Sequence, residues 1–289
     1  MSLNSVNTNM GAMVALQSLE STQSQLAVTQ KRISTGFRVA DSTDDGAAFA
    51  IAQTVRSNVG ALTSANQQLG SAHGLLATTQ TALTNISNMM GSMRDVLVKL
   101  SDASVVGNEQ TNYENQYKSM LSNLKSFIID SNYNGKTLIG DIATSGGNTA
   151  GYGTVSIATN ESGGTYALAA HDYSAIYTSL ASLTSSFASA GTAAAMVAAI
   201  TTSGMFIRKQ NGVGNDLNTV GSSINYVNNQ TTYNSDKIDA LNSGLGSLVD
   251  ADLAKESAQL TALQIRQQLG TQALSLANQA PQSLLSLFK

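Results

Sequence analysis

Cysteine and tryptophan are absent from this chain, and proline occurs once in 289 residues. Without cysteine there is no disulfide framework, no thiol nucleophile and no thiolate metal site. The near absence of proline, with Pro281 lying close to the end, removes the commonest helix breaker and permits very long helices. Charge is scarce too: 11% of residues are charged, against about a quarter in an ordinary soluble domain. The net charge of −3 provides no electrostatic footprint for nucleic acid or an anionic membrane, so neither is expected as a partner. The opening residues, Met1 to Asn9, lack a basic n-region and an apolar h-region, so no Sec-type signal is expected. No run reaches the roughly eighteen apolar residues that a membrane-spanning helix needs. These absences predict a cytosolic protein or one exported by another route.

Catalytic chemistry is equally thin. The two histidines, His73 and His171, are far apart, and no H-E-x-x-H or Gly-rich phosphate loop accompanies them. A lone histidine on a helix packs or faces solvent far more often than it ligates, because metal sites need three or four ligands. The carboxylates at Asp41, Asp44 and Asp45, and at Asp250 and Asp252, precede apolar helical runs. They read as helix caps rather than as a general-acid pair. No catalytic residue, cofactor or metal is expected, and the chain is not read as an enzyme.

What the chain does contain is hydrophobic periodicity. Hydrophobic residues make up 42%, enough for a substantial core, and Ser, Thr, Asn and Gln supply a neutral, hydrogen-bonding surface. Such a surface offers little like-charge repulsion between copies. Leu62, Leu69, Leu76, Leu83, Met90 and Leu97 recur every seven residues. Ala65, Ala72, Thr79, Ile86, Met93 and Leu100 follow each by three, completing an a/d seam. Extended back through Ile51 and Val55, it predicts a helix of about fifty residues, roughly 75–80 Å long. Leu217, Val220, Ile224, Val227, Ile238, Leu241, Leu245 and Leu248 form a second seam, interrupted by Thr231 and Asn234. A third amphipathic helix is expected over 109–131, with Tyr113, Tyr117, Met120, Leu121, Leu124 and Ile128 on one face.

The two ends read as a further pair. Ala12, Leu19, Leu26 and Ile33 are spaced by sevens, and Leu253, Leu260, Leu263 and Leu274 line one face of a helix before an apolar tail that includes Leu284 and Leu287. Neither stripe can be buried alone, so the terminal segments are expected side by side. Between the helices, Gly, Ser and Thr dominate from Gly140 to Gly164. Thr154–Ile157 and Thr165–Leu168 alternate as short strands of a β-hairpin, and two short helices are expected over 173–190 and 192–202. The expected fold is mainly α, an elongated helical bundle or coiled coil built from both ends of the chain, with a small insert containing the hairpin.

Particular residues resemble bacterial flagellins. Arg32-Ile33-Ser34-Thr35-Gly36-Phe37-Arg38, then Asp44-Asp45 and Ala50-Ile51-Ala52, is similar to the family pattern R-L-S-S-G-x-R…D-D…A-I-A. Val6-Asn7-Thr8-Asn9 resembles its opening I-N-T-N, and Tyr133-Asn134-Gly135 its F-N-G turn. Gln264-Ile265, Gln267-Gln268, Gly270-Thr271 and Ala277-Asn278-Gln279-Ala280-Pro281-Gln282, closing on Leu284-Leu285-Ser286-Leu287, resemble the family's C-terminal end. The matches cover roughly the first 138 and last 75 residues.

The resemblance implies a structural subunit that self-assembles into the flagellar filament for swimming. It implies export without a cleaved signal through the flagellar type III apparatus, and an extracellular location. Residues 1–42 and 249–289 would form the inner-shell helix pair (D0), with Val6, Ala12, Leu19, Leu26, Ile33, Leu253, Leu260, Leu263, Leu274, Leu284 and Leu287 as assembly positions. Residues 43–140 and 205–248 would form the surrounding long-helix bundle (D1), and 141–204 a short solvent-facing insert. Implied partners are other copies of the chain, sister flagellins, hook-associated junction and cap proteins, and an export chaperone at the C-terminal helix. Two departures stand out. The family's N-x-x-D-G is replaced by Gln68-Leu69-Gly70-Ser71-Ala72. In the stretch that an innate immune receptor recognises, Q-R-V-R-E-L-A-V, only Arg94, Asp95 for Glu, and Val98 correspond, so weak recognition is expected. A hook–filament junction protein and a flagellin-like surface adhesin are the alternative readings.

Overall fold

The structure, a computed structural model, describes residues 9–140, 151–187 and 192–287, with side chains to residue 279. The described residues form helices α1 (Met10–Thr35), α2 (Gly46–Leu100) and α3 (Asn108–Ile129), then strands β1 (Val155–Ala158) and β2 (Thr165–Leu168). Helices α4 (Tyr173–Ser186), α5 (Thr192–Ile200), α6 (Met205–Val249) and α7 (Leu253–Leu287) follow. The chain is mainly α with one small antiparallel hairpin. No helix among the described residues is long and apolar enough to cross a membrane.

Local chemistry sets the helix ends. Asn9 caps α1 by accepting from Ala12 N, and Gly36 ends it with φ 75°, a left-handed conformation that costs glycine little. The sequence-predicted capping aspartates divide by role. Asp45 accepts from Ala47 N and Ala48 N at the start of α2, and Asp252 accepts from Ala254 N and Lys255 N at the start of α7. Asp41 and Asp44 instead hold the loop before α2. The Asn134-Gly135 turn has both residues at positive φ, 50° and 77°, between the paired Tyr133 and Lys136, which is the tight-turn geometry that Asn-Gly favours.

Two compact units divide the chain: residues 1–58 with 239–289, and residues 59–238. In the second unit, Leu62, Leu69, Leu76, Leu83, Ile86, Met90, Met93 and Leu97 are all essentially sealed from solvent. Each fully buried leucine of this kind contributes about 1.5–3 kcal/mol. Thr79, the polar member of the seam, donates its hydroxyl to Leu75 O at 2.8 Å and is itself buried. Tyr117, Leu121, Leu124 and Ile128 of α3 and Val213, Val220 and Val227 of α6 complete the same core.

The middle of the chain also enters this core. Ile157 and Leu168 of the hairpin and Tyr173, Ile176, Leu180, Leu183, Phe187 and Met196 of the following helices belong to the same buried cluster. The described part of 141–204 is therefore a layer of the second unit rather than a separate appendage. Its strands pair in the register Val155 to Leu168 and Ile157 to Tyr166, so Ile157 and Leu168 face inward while Ser156, Thr165 and Ala167 stay exposed. Tyr117 ties α3 to α4: its hydroxyl donates to Leu180 O at 3.0 Å and its ring meets Phe187 edge-on at 5.4 Å.

In the first unit a small core gathers Val39, Ala48, Ala52 and Val249 with Phe49, Leu245 and Leu248 packed on it. The backward extension of the α2 seam differs here from the sequence expectation. Ile51 is 56% exposed, whereas Ala48 and Ala52 are buried, because the segment after α1 packs Val39 against the alanine side of the helix.

Candidate functional site

The terminal helices pair antiparallel within the first unit. Asn9 lies by Ala277, Leu19 by Gly270, and Arg32 by Glu256. The α1 face turned to α7 runs Ala12, Ala15, Leu19, Thr22, Leu26, Thr29 and Ile33, a continuous 3–4 repeat in which Leu19, Thr22 and Thr29 are buried and the rest half-buried. Sevenfold spacing of apolar residues found four of these seven. The two threonines were missed because their hydroxyls disguise them; Thr22 satisfies its own by donating to Ser18 O at 2.8 Å. On α7 the matching face is Glu256, Leu260, Leu263, Gln267, Gly270, Leu274 and Ala277. Leu263 is buried, Leu260 and Leu274 half-buried, and Leu253, the first residue of the helix, stays 49% exposed and does not join the pair. Val6 and the side chains of Leu284 and Leu287 lie outside the described residues.

Three polar devices fix this pairing. Asn9 Nδ2 donates to Ala277 O at 2.7 Å. That carbonyl would ordinarily accept from the nitrogen four residues on, but residue 281 is the proline and has no N–H to give. Asn9 thus supplies the donor that the single proline removes, while its Oδ1 caps α1. At the other end Arg32 Nη1 donates to Glu256 Oε1 at 3.1 Å, a long-range ion pair whose carboxylate is almost fully buried. After α1, Ala251 N donates to Gly36 O, and Arg38 N and Nη2 donate to Val249 O and Leu248 O.

The connecting loop is held by Lys31. Its ammonium donates to Asp41 at 2.6 Å and to Asp44 at 3.0 Å. The hydrogen bond from Lys31, followed by those from Thr43, holds Asp41 well below the usual carboxylate range. Lys31, followed by the Ala40 N–H, lowers Asp44, and the two carboxylates raise Lys31 in turn.

Each terminal helix also carries a second apolar stripe. At about 100° per residue, Met10, Met13, Val14 and Val28 fall on the side of α1 away from its contact with α7, with Gln17, Ser21 and Ser24 between Val14 and Val28; Leu16 lies on the flank, and all are exposed. Ile265, Leu269 and Leu276 lie likewise on the far side of α7, the last two at 60% and 69% exposure. A helix that is apolar on two opposite faces needs partners on both, and among the described residues only one face is covered.

In the second unit the hairpin is bound to α2 and α6 by a buried polar network. Asn234, fully buried, donates to Asn66 Oδ1 at 3.0 Å and Thr159 O at 2.9 Å, and accepts from Gln230 at 3.0 Å. Gln68 Oε1 accepts from Ala158 N, Lys237 pairs with Glu161, and Tyr166 stacks on Tyr226 with centroids 4.1 Å apart. Ile224 and Ile238 of the second seam are half-buried; so, in the first unit, are Leu241 and Leu245. Further along, Asp216 of α6 lies 2.8 Å from His171 Nδ1 and accepts from the Tyr173 hydroxyl at 2.9 Å. Burial, reinforced by Asp216, pushes the Tyr173 phenol up, so it stays a donor.

No group of three His, Asp or Glu side chains among the described residues is placed to hold a metal ion. An open groove of about 390 Å³ between α2, the Tyr133–Lys136 turn and β1 is lined by Gln67, Gln68, Ser71, Tyr133 and Ile157, with Lys136 its one titratable side chain besides Tyr133. Arg94, Asp95 and Val98 lie exposed on α2.

Two family models match the chain: the bacterial flagellin N-terminal helical region over residues 6–144, and the bacterial flagellin C-terminal helical region over residues 209–288. Flagellin FljM of Caulobacter vibrioides is 34% identical over 289 residues, covering all of both chains. A flagellin of Brucella melitensis is 33% identical over 301 residues, covering 99% of each. Among solved structures, a putative flagellar hook-associated protein from Vibrio parahaemolyticus matches at a TM-score of 0.59 and 14% identity, over 72% of this chain and all of that one, which shows a shared fold.

Proposed function

Because the chain belongs to the bacterial flagellin family, we propose that it builds the flagellar filament by covering the outer apolar stripes of α1 and α7 with neighbouring copies. It is a structural subunit of that filament, which serves motility. The observation that carries the assembly reading is the two-sidedness of the terminal helices. One face of each is spent on the other helix, and Met10, Met13, Val14, Leu16, Ile265, Leu269 and Leu276 remain for other copies. Burial of the second stripe only on association makes assembly the step at which these helices become stable.

In this reading residues 1–42 and 249–289 form the inner shell, 43–140 and 205–248 the surrounding layer, and 141–204 turns its exposed strand positions to solvent. The chain leaves the cell through the flagellar type III apparatus. Junction and cap proteins meet it at the filament ends, a chaperone holds α7 before export, and sister flagellins with the same faces share the filament. A structural role fits side chains arranged for packing and hydrogen bonding.

Seeded growth tests the reading. Purified full-length chain is expected to elongate filament fragments, and the I265D/L269D chain to keep its helical circular dichroism but stop elongating. Unimpaired growth of I265D/L269D refutes the outer stripe as an assembly face. Failure of the natural chain to elongate seeds at all points to a junction protein.

A further inference from the structure

The outer stripe of α1 contains two methionines, and their placement sets them apart from the others. The chain has nine methionines. Met90, Met93 and Met196 are sealed in the second unit's core, and Met89, Met120 and Met205 are partly buried against it. Met10 and Met13 are 56% and 61% exposed, the exposed methionines among the described residues. They sit one turn apart beside Val14 and Leu16, while the α1 face turned to α7 contains no methionine. A thioether there can be altered without touching either the helix pair or the core.

We propose that Met10 and Met13 form a peroxide-sensitive modification site through which oxidation of the free subunit blocks its addition to the filament. The thioether sulfur attacks hydrogen peroxide: an S–O bond forms, the O–O bond breaks, and water leaves. Sulfur is oxidised by two electrons and the peroxide reduced by two. The product is a sulfoxide, a strong hydrogen-bond acceptor on what was a soft apolar side chain. Val14 and Leu16 offer no side-chain donor and Gln17, one turn beyond Met13, offers a single amide, so covering the two sulfoxides exchanges their water for at most that amide and leaves acceptor capacity unsatisfied. In the free chain the same group is solvated and costs nothing. The modification therefore acts on association, and a filament whose copies cover the stripe shields the sulfurs. This inference rests on the reading that the outer stripe of α1 is an assembly face.

The test treats purified full-length monomer with dilute hydrogen peroxide, maps added oxygen by peptide mass spectrometry, and then measures seeded elongation. Sulfoxide is expected at Met10 and Met13 before any of the six core methionines. Elongation by the oxidised chain is expected to fall at least about tenfold, the effect of roughly 1.4 kcal/mol, and to return after treatment with methionine sulfoxide reductases. In the M10L/M13L chain the ratio of treated to untreated rate is expected near one, whatever its own untreated rate. Core methionines oxidising first, full oxidation of Met10 and Met13 without slower growth, or equal peroxide sensitivity of M10L/M13L each overturns the proposal. If untreated natural chain fails to elongate seeds, it is the assembly reading that fails instead.

Discussion

Replacing Asn234 by alanine removes three hydrogen bonds from a position with no solvent access: to Asn66 Oδ1, to Thr159 O and from Gln230. At about 1 kcal/mol net for each bond, the loss starts near 3 kcal/mol. Two features reduce it. Thr159 O keeps a second donor, Gln230 at 3.1 Å, and Asn66 is only half-buried and regains water. The expected cost is about 2–3 kcal/mol, read as a lower urea midpoint at unchanged slope. Exposed Asn228→Ala, on the same helix, is the control and is expected within about 0.5 kcal/mol of the natural chain. The sharper variant is Asn234→Leu, which restores an apolar seam residue. Burial of the leucine returns at most about 1.5–3 kcal/mol, and fitting its branched end among polar neighbours forfeits part of that. N234L is therefore expected to remain less stable than the natural chain. A double-mutant cycle of N66A and N234A should show a coupling of about 0.5–3 kcal/mol. If N234L is more stable than the natural chain, or N234A matches the Asn228 control, Asn234 is merely tolerated in the seam and the reasoning fails.

Further predictions concern the terminal helices. The folded-state pKa values of Asp41 and Asp44 are lowered, first of all by Lys31. The stability they confer is present above the unfolded aspartate value of about 3.9 and is lost as pH falls through their lower folded values. Hydrogen exchange of residues 36–48 should consequently rise below about pH 4 in the natural chain, and a D41N/D44N chain should show faster exchange already at neutral pH with a flatter acid profile. Reversing Arg32 or Glu256 alone should slow seeded elongation, and the R32E/E256R double exchange should recover most of the loss; no recovery would show that the pair acts only through packing. Asn9→Ala should raise exchange at both the start of α1 and the Ala277 turn of α7, whereas N9A combined with P281A should recover protection at α7 alone, because alanine restores the missing N–H. Cells carrying the innate flagellin receptor should respond weakly to the filament subunit, since Arg94, Asp95 and Val98 alone retain the recognised pattern; potency equal to that of a fully matching flagellin would refute this.

Much of the fold was legible because long helices declare themselves through repetition. The heptads from Leu62 to Leu97 and the alternation across Val155–Ala158 and Thr165–Leu168 each reflect a backbone period that one stretch of chain carries alone. Of the five aspartates read as caps, Asp45 and Asp252 were readable for the same reason, since they satisfy N–H groups two or three residues away; Asp41 and Asp44 were not, because their partner Lys31 lies ten or more residues back. The lone proline spoke just as directly, allowing helices of 55 and 45 residues in α2 and α6.

Tertiary structure decided what those stripes meet. Thr22 and Thr29 look like surface residues until α7 lies over them, and Glu256 reads as an ordinary first-turn acid until Arg32, 224 positions away, reaches it. Asn234 interrupts a seam on paper, but in the fold it is the point where α2, α6 and the hairpin share hydrogen bonds. Ile51 and Leu253 obey the local period and yet remain exposed, because no element among the described residues covers them. Periodicity is set by the backbone within a few residues. Burial and pairing depend on which distant segments arrive, and hydrogen bonds such as Asn9 to Ala277 exist only after the two ends of the chain have met.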